Sequence, residues 1–308
     1  MTNDDKVQPM SLTFLLAGGS GFIGSRLSEL ARSKGHSVRI LTRKPKVGGQ
    51  FAWDILSGAI DDRAVEGADV VVNLAGAGIA DGRWTPARKR LIAESRVRSA
   101  QVLRDAFRRL GHLPKSYLSA SAIGYYGNSG ERVMYEDDSP VGGGFLVDTC
   151  AAWEQAVEET GAMGIRTVVF RTGIALGASG GALPRIAGPL RFGIGGYFAD
   201  GKAWYSWIHL DDLCRMYLWA AEQPLVEGVF NAVAPHPVRN LKLVKATAQA
   251  MRRPAIFVPA PAFALRLVFG EMAGTILNSN RISAEKVIRA GFHFQFPDLE
   301  GAMNAIFR

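Results

Sequence analysis

Apolar and polar positions along this chain follow two rhythms that alternate. "SLTFLLA" (Ser11 to Ala17) is a short apolar run that ends in glycines, and a segment of 3.6-residue periodicity follows at once from Phe22 to Lys34. The pattern predicts strand, tight turn, helix. "HSVRILTR" (His36 to Arg43) alternates as a second strand. "ADVVVNLAG" (Ala68 to Gly76) is continuously apolar, as parallel strands buried on both faces are. "KSYLSAS" (Lys115 to Ser121) and "IRTVVFRTG" (Ile165 to Gly173) repeat that character, with helical periodicity near 86–110 and 145–161. Strands alternating with helices predict right-handed crossovers and an α/β fold of Rossmann type: a doubly wound parallel sheet with a smaller C-terminal α/β lobe.

Beyond Thr172 the stretch "GIALGASGGALPRIAGPLRFGIGGYFADGKAWYSWIHLDD" has no regular alternation and reads as a Gly-rich loop region, long enough to carry function. Regularity returns with a helix from about Asp211 to Glu222, a strand "GVFNAVA" and a helix from about Asn240 to Arg252. A last apolar stretch from Pro261 to Leu277, interrupted by Arg266 and Glu271, is too short to span a bilayer. The expected division is a tail over 1–10 and a nucleotide-binding domain over 11–172, to which 209–235 return. Segments 173–208 and 236–308 form the smaller, substrate-side lobe.

Composition narrows the class only a little. Of the 308 residues, 48% are hydrophobic and 21% charged, ordinary for a folded globular chain. The formal charge of +8 comes from Lys and Arg scattered through helices, so neither a nucleic-acid nor a membrane partner is expected. Cys150 and Cys214 lie in helical patterns without CxxC or His-rich neighbours, which fits core thiols in a reducing compartment and no metal site. The polar N-terminus has neither secretory nor transit character, so a cytoplasmic location is expected.

The first turn carries the chemistry. In "LAGGSGFIG", Gly18, Gly21 and Gly24 sit between strand and helix, where the chain must turn sharply and let a pyrophosphate approach the helix N-terminus. The end of the second strand separates cofactors, because an acidic residue there binds the ribose 2′-hydroxyl of NAD. Between His36 and Gly49 there is no carboxylate, and Thr42 and Arg43 offer a hydroxyl and a planar cation suited to the 2′-phosphate of NADP. "NLAG" (Asn73 to Gly76) supplies a small-residue turn that can pass beneath the adenosine. On the following helix Ile92, Ser95, Ser99, Leu103, Ala106 and Leu110 mark an inward stripe that includes Arg96. An inward guanidinium needs an anion or several acceptors, so Arg96 is either a phosphate ligand or snorkels to solvent.

These motifs, in this order, resemble the extended short-chain dehydrogenase/reductases, and more closely an atypical branch of epimerase family proteins. The resemblance rests on "NLAGAGIADGRWTPARKRLIAESRVRSAQVL", "SASAIGYYG", "YSWIHLDDL", "FNAVAPHPVRN" and the C-terminal segment, and it covers nearly the whole chain after the tail. It implies a Rossmann-fold NADP(H) binder with Gly18, Gly21, Phe22, Ile23 and Gly24 at the pyrophosphate and Thr42 and Arg43 at the 2′-phosphate. Leu74, Ala75, Gly76, Arg96 and Thr172 would line the rest. The superfamily's active members use a Ser after the fifth strand and a YxxxK pair on the next helix; Ser121 can take the first role. Matching Glu154 to the Glu that follows the pair puts Leu146 at the Tyr position and Cys150 at the Lys position. Neither shuttles a proton at neutral pH, so Tyr125 and Tyr126 of the loop "YYG" become the nearest candidate phenols, with packing or turn formation as the alternative for one of them.

Trp84, Trp207 and His209 are the expected substrate-side residues, with packing in the core as the alternative for each, and Asp211 or Asp212 is expected to cap the helix that follows. Arg83 and Arg185 are weaker candidates for an anionic group. The leading expectation is an NADP(H)-binding oxidoreductase or epimerase-like enzyme acting by hydride transfer on a small molecule that the sequence does not identify. The alternative is an NADP-binding protein with little or no turnover, regulatory or sensory through protein contacts. Oligomeric state is not legible.

Overall fold

In the computed structural model of the chain, which describes residues 11–308, the first apolar run forms β1 (Thr13–Ala17) and the periodic segment after it α1 (Phe22–Ser33). The tail expected over 1–10 lies outside the described residues. Next come β2 (Ser37–Thr42), β3 (Gln50–Asp54), β4 (Ala59–Ile60), β5 (Val70–Asn73) and the long helix α2 (Pro86–Leu110). Strand β6 (Ser116–Ala122), helix α3 (Phe145–Gly161), strand β7 (Arg166–Thr172), helix α4 (Leu210–Glu222) and strand β8 (Gly228–Ala232) complete the main layer system. The sheet order is β8-β7-β6-β5-β1-β2-β3-β4, parallel throughout except for the edge strand β4, which returns antiparallel along β3.

Both faces of the sheet are buried, and this explains the unbroken apolar runs. Phe14 and Leu16 of β1, Val70 and Val72 of β5 and Phe170 of β7 point to one face, where Leu27 of α1 and Leu213 and Tyr217 of α4 cover them. Leu15, Val71, Tyr117 and Val169 point to the other, under Leu103 and Phe107 of α2 and Val157 of α3. Arg26 of α1 donates twice to the Asp211 carboxylate, at 2.7 and 3.0 Å, and so ties α1 to α4.

One expectation is corrected, and one segment holds elements that the sequence reading did not place. Residues 50–65 form β3, β4 and a short helix (Asp62–Val65) that the apolar pattern did not signal, because an edge hairpin needs only one buried side chain per pair; here Trp53 supplies it. The Gly-rich stretch after Thr172 is not an irregular loop. It holds a strand at Ile174–Gly177 paired with Trp207–His209, a helix Leu183–Leu190 and a strand Ile194–Phe198 paired with Ile256–Ala260. Its glycines serve close packing, which erases the alternation. A separate apolar cluster around Trp207, Leu243 and Met303 lies under these short pieces.

Asp212, fully buried in α4, accepts from the backbone N–H groups of Gln295 (2.9 Å) and Phe296 (2.8 Å) and from Arg215 (2.8 Å). It fastens the C-terminal segment to the helix. Asp212→Ala leaves two amides without an acceptor and should lower stability by about 3 kcal/mol in urea unfolding, with earlier proteolysis C-terminal to Phe292.

Candidate active site

Strands β1 and β5 are neighbours, and from them the chain winds outward through β2 in one direction and β6 in the other. A crevice opens at such a switch point, outside the carboxyl ends of the strands. Gly18, which leaves β1 with φ +79°, passes so near the β5 turn that a Cβ on it would stand 2.9 Å from the carbonyl carbon and oxygen of Leu74. A Cβ on Gly24 would stand 2.6 Å from the Cα of Gly19, so the first turn of α1 can lie against the loop only as glycine. Gly21 has ordinary extended angles (φ −82°, ψ 179°) and no strain to relieve. It is the N-cap of α1, where no side chain caps the helix and no acidic residue occupies the first turn. The cradle is therefore a helix N-terminus with its positive end bare. Phe22 and Ile23 begin that helix. The Phe22 ring is received by Gly177, Gly180 and Gly181, where added Cβ atoms would come within 2.9, 2.6 and 3.1 Å of it.

Thr42 ends β2 half-buried, and the exposed Arg43 follows it. Across the crevice, Leu74 is half-buried, Ala75 buried, and the Ala75 N–H donates to the Asn73 side chain at 3.1 Å. Gly76 lies against Arg96, whose guanidinium carbon would be 3.1 Å from an added Cβ. Arg96 neither snorkels nor pairs with a carboxylate: it donates to the carbonyls of Ala77 (3.1 Å) and Ile92 (2.8 Å) and lies over the Trp153 ring at 5.0 Å. Burial lowers its pKa, and no carboxylate among the described residues offsets that desolvation. Thr172 ends β7 half-buried, its hydroxyl donating to Phe170 O at 3.2 Å.

At the carboxyl end of β6 the structure brings together the residues in the dyad positions. A Cβ on Gly124 would lie 3.4 Å from Leu146 Cβ and 3.8 Å from Cys150 Sγ. Burial pushes the Cys150 thiol up to about 12, so it is neutral and no substitute for a cation. Ser121 is almost wholly buried and donates to Glu154 Oε1 at 2.6 Å. That carboxylate is in turn gripped by Arg171 through Nε (2.9 Å) and Nη2 (2.8 Å). Arg171 also donates to the Tyr126 hydroxyl and the Glu136 carbonyl, each at 2.9 Å, and the Tyr126 hydroxyl donates to Asn231 Oδ1 at 2.7 Å. Burial works against the Arg171 charge, but the Glu154 carboxylate more than offsets it and holds the guanidinium above its ordinary pKa. Burial pushes Tyr126 up to about 12. Tyr125 lies beside it with its ring 3.5 Å from the Arg171 guanidinium carbon.

The substrate-side candidates separate. Trp84 is half-buried, donates its indole N–H to Ile79 O at 2.8 Å, and meets the Phe145 ring edge-on at 4.9 Å. Trp207 is fully buried in the C-terminal cluster and donates to His236 O at 3.0 Å, so it is a core residue and the substrate-side expectation is corrected. His209 is corrected too. Its ring stacks on Phe296 at 4.0 Å, and its Nδ1 accepts the Asp211 N–H at 3.0 Å, making it the cap of α4 in place of either aspartate. Arg83 and Arg185 donate to the carbonyls of Leu267 and Ala80 and hold the 78–85 loop in position. The sequence reading missed Phe145, the glycines that receive Phe22, and Arg171. Of these, only Arg171 left a signal, a cation inside an apolar strand.

A doubly wound sheet with a glycine cradle at its switch point defines a dinucleotide-binding protein of the extended short-chain dehydrogenase/reductase type. Residues 14–232 match the model of the NAD dependent epimerase/dehydratase family, and the chain belongs to that family. Residues 260–306 match a domain of unknown function, DUF1731. The chain is 35% identical over 299 residues to the epimerase family protein YfhF of Bacillus subtilis, covering 96% of this chain and 98% of that one. It is similar to the crystal structure of the human epimerase family protein SDR39U1 with NADPH, at a TM-score of 0.87 and 30% identity over 96% and 99% of the two chains. The UDP-glucose 4-epimerase of Thermus thermophilus, solved with NAD, is 20% identical with a TM-score of 0.74 over 96% and 98% of the chains, and shares the fold. No helix among the described residues is long and apolar enough to cross a membrane.

The cap at His209 makes a pH prediction. Burial lowers its pKa from the ordinary 6.5, so the unfolded chain takes up this proton more readily than the folded one. The stabilising contribution is complete above pH 6.5 and is lost as the pH falls toward the folded value. His209→Asn keeps a cap without the titration, and its stability should fall less steeply than the parent's below pH 6.5 in a series of urea titrations.

Proposed function

We propose that this chain binds NADP(H) in the β1/β5 crevice and holds it for hydride exchange with a small molecule. The observation that carries the reading is the bare N-terminus of α1 in its glycine cradle, closed on the far side by an Arg96 with no carboxylate partner. Gly18, Gly21, Phe22, Ile23 and Gly24 take the pyrophosphate, Thr42 and Arg43 the 2′-phosphate, and Leu74, Ala75, Gly76, Arg96 and Thr172 the remaining surface. The fit rests on space and charge. Side chains are excluded where a pyrophosphate would lie, and among the described residues neither Arg43 nor Arg96 forms an ion pair with a carboxylate. The human relative solved with NADPH supports the choice of phosphate form.

When bound, this cofactor supplies or accepts a hydride at its nicotinamide ring. The chain's own residues orient the ring and exclude water. Ser121, its proton already donated to Glu154, is in our reading a positioning residue that ties β6 to α3. A second reading, with Tyr125 as proton donor, is favoured by the position of that ring between the strand end and Arg171, at the rim where Leu146 and Cys150 leave no acid.

Arg43→Glu should collapse the preference for NADPH over NADH at least tenfold in fluorescence titrations of the two cofactors; an unchanged preference removes the 2′-phosphate role. Cofactor oxidation across carbonyl and sugar-nucleotide substrates, in the parent and in Tyr125→Phe, tests turnover. A loss of kcat of a hundredfold or more with KM retained supports Tyr125 as the acid, and no oxidation with any substrate favours a binding protein without catalysis.

A further inference from the structure

The wall beyond the cofactor has a chemistry of its own. Leu146, Cys150 and Trp153 follow one another along a single face of α3, and Phe145 begins the helix beside them. Phe145 meets Trp84 edge-on, Leu146 and Cys150 face Gly124 at the end of β6, and Trp153 lies under Arg96 on the cofactor side. Little polar capacity is left along this strip: the Trp153 indole N–H is buried without a partner among the described residues, and the other groups are engaged. The Trp84 N–H is bonded to Ile79 O, the Cys150 thiol is neutral, and the Ser121 hydroxyl is donated to Glu154. A sugar nucleotide brings many hydroxyls that would lose water here and find too few donors and acceptors to replace it. Flat apolar rings suit the aromatic edge and the leucine wall.

The missing dyad points the same way. Hydride addition to an isolated carbonyl makes an alkoxide, far too basic to be released at neutral pH without an acid at hand. A conjugated dicarbonyl leaves instead a phenolate-type anion, of the basicity of a tyrosinate near 10. It needs no acid in the step.

From these observations, and resting on the NADP(H) reading above, we infer that the substrate class is a planar, conjugated apolar carbonyl compound of quinone type, held between the Trp84–Phe145 edge and Leu146. The reductant is the dihydronicotinamide dinucleotide. Its C–H bond breaks as the hydride forms an O–H bond at one quinone oxygen. The carbonyl π pair shifts through the ring onto the far oxygen, which takes a proton from water. The quinone is reduced to a hydroquinone and the dinucleotide is oxidised.

The test is calorimetric, on the full chain saturated with NADP+ so that nothing turns over. The probes are 2,3-dimethyl-1,4-naphthoquinone, whose substituents block thiol addition, and UDP-glucose. The naphthoquinone should bind with a Kd at least tenfold below that of UDP-glucose, and Trp84→Ala should weaken it at least fivefold. Phe145→Ala should do the same and decides the matter if the tryptophan variant does not fold. Tighter binding of UDP-glucose, or unchanged naphthoquinone affinity in the folded variants, overturns the inference. NADPH titration of the parent protein stands apart: its failure removes the cofactor reading, whereas the naphthoquinone titration, repeated without NADP+, still decides this one.

Discussion

The bidentate ion pair between Glu154 and Arg171 is the joint on which the site depends. Two charges with almost no solvent contact cost a great deal to bury, and only good geometry and full hydrogen bonding offset that cost. Here both conditions hold. The carboxylate takes two bonds from the guanidinium and one from Ser121, and the guanidinium's remaining donors reach Tyr126 and the Glu136 carbonyl. One pair thus fixes helix α3 to strands β6 and β7, and through Tyr126 and Asn231 to strand β8. The face of α3 that carries Leu146 and Cys150 is aimed by this joint. In an interior of this kind, removing either partner leaves an uncompensated charge, typically about 3–5 kcal/mol of stability.

How much was legible in the sequence followed from how each feature is held. The inner strands showed in the hydrophobic pattern because both of their faces are buried, so every residue must be apolar. Strands β3 and β4 did not show, since an edge hairpin answers to one Trp and to solvent. The glycine turn was legible because its requirement is local: a strand, a sharp bend and a helix start within about a dozen residues. Arg96 was legible as an inward cation from helical spacing alone, though only the folded chain removes the snorkelling alternative. Trp207 and His209 misled for a common reason. An aromatic or imidazole next to "LDD" looks the same in sequence whether its polar atom meets a ligand or a backbone group of its own chain. The Glu154–Arg171 pair was half legible. A cation inside "VVFRTG" demands a buried anion, but the sequence does not say which of the chain's acids supplies it.

The two halves of the crevice therefore differ in how they are built. The cofactor half is backbone: glycines, a helix end and a turn, with cations added at its margins. The other half is side chain, and nearly all of it apolar. Backbone cradles recognise phosphate whatever chemistry follows, whereas in the reading proposed above the apolar half sets what can lie against the nicotinamide end. A fold shared with the nucleotide-sugar epimerases thus carries no commitment to their substrates.

Phe22 and the three glycines that receive its ring lie far apart in the chain, yet neither side can change alone. A methyl group at Gly180 requires a smaller ring at position 22, and a smaller ring at 22 leaves a hollow that side chains at 177 and 180 could fill, while Gly181 stays glycine for its φ of +71° and the Ala175 carbonyl 2.8 Å from an added Cβ. The two segments are bound to drift together. A line of descent that lost the phenylalanine would regain ordinary residues in the hairpin, and the glycine-rich look of that stretch would fade without any change in what the crevice holds.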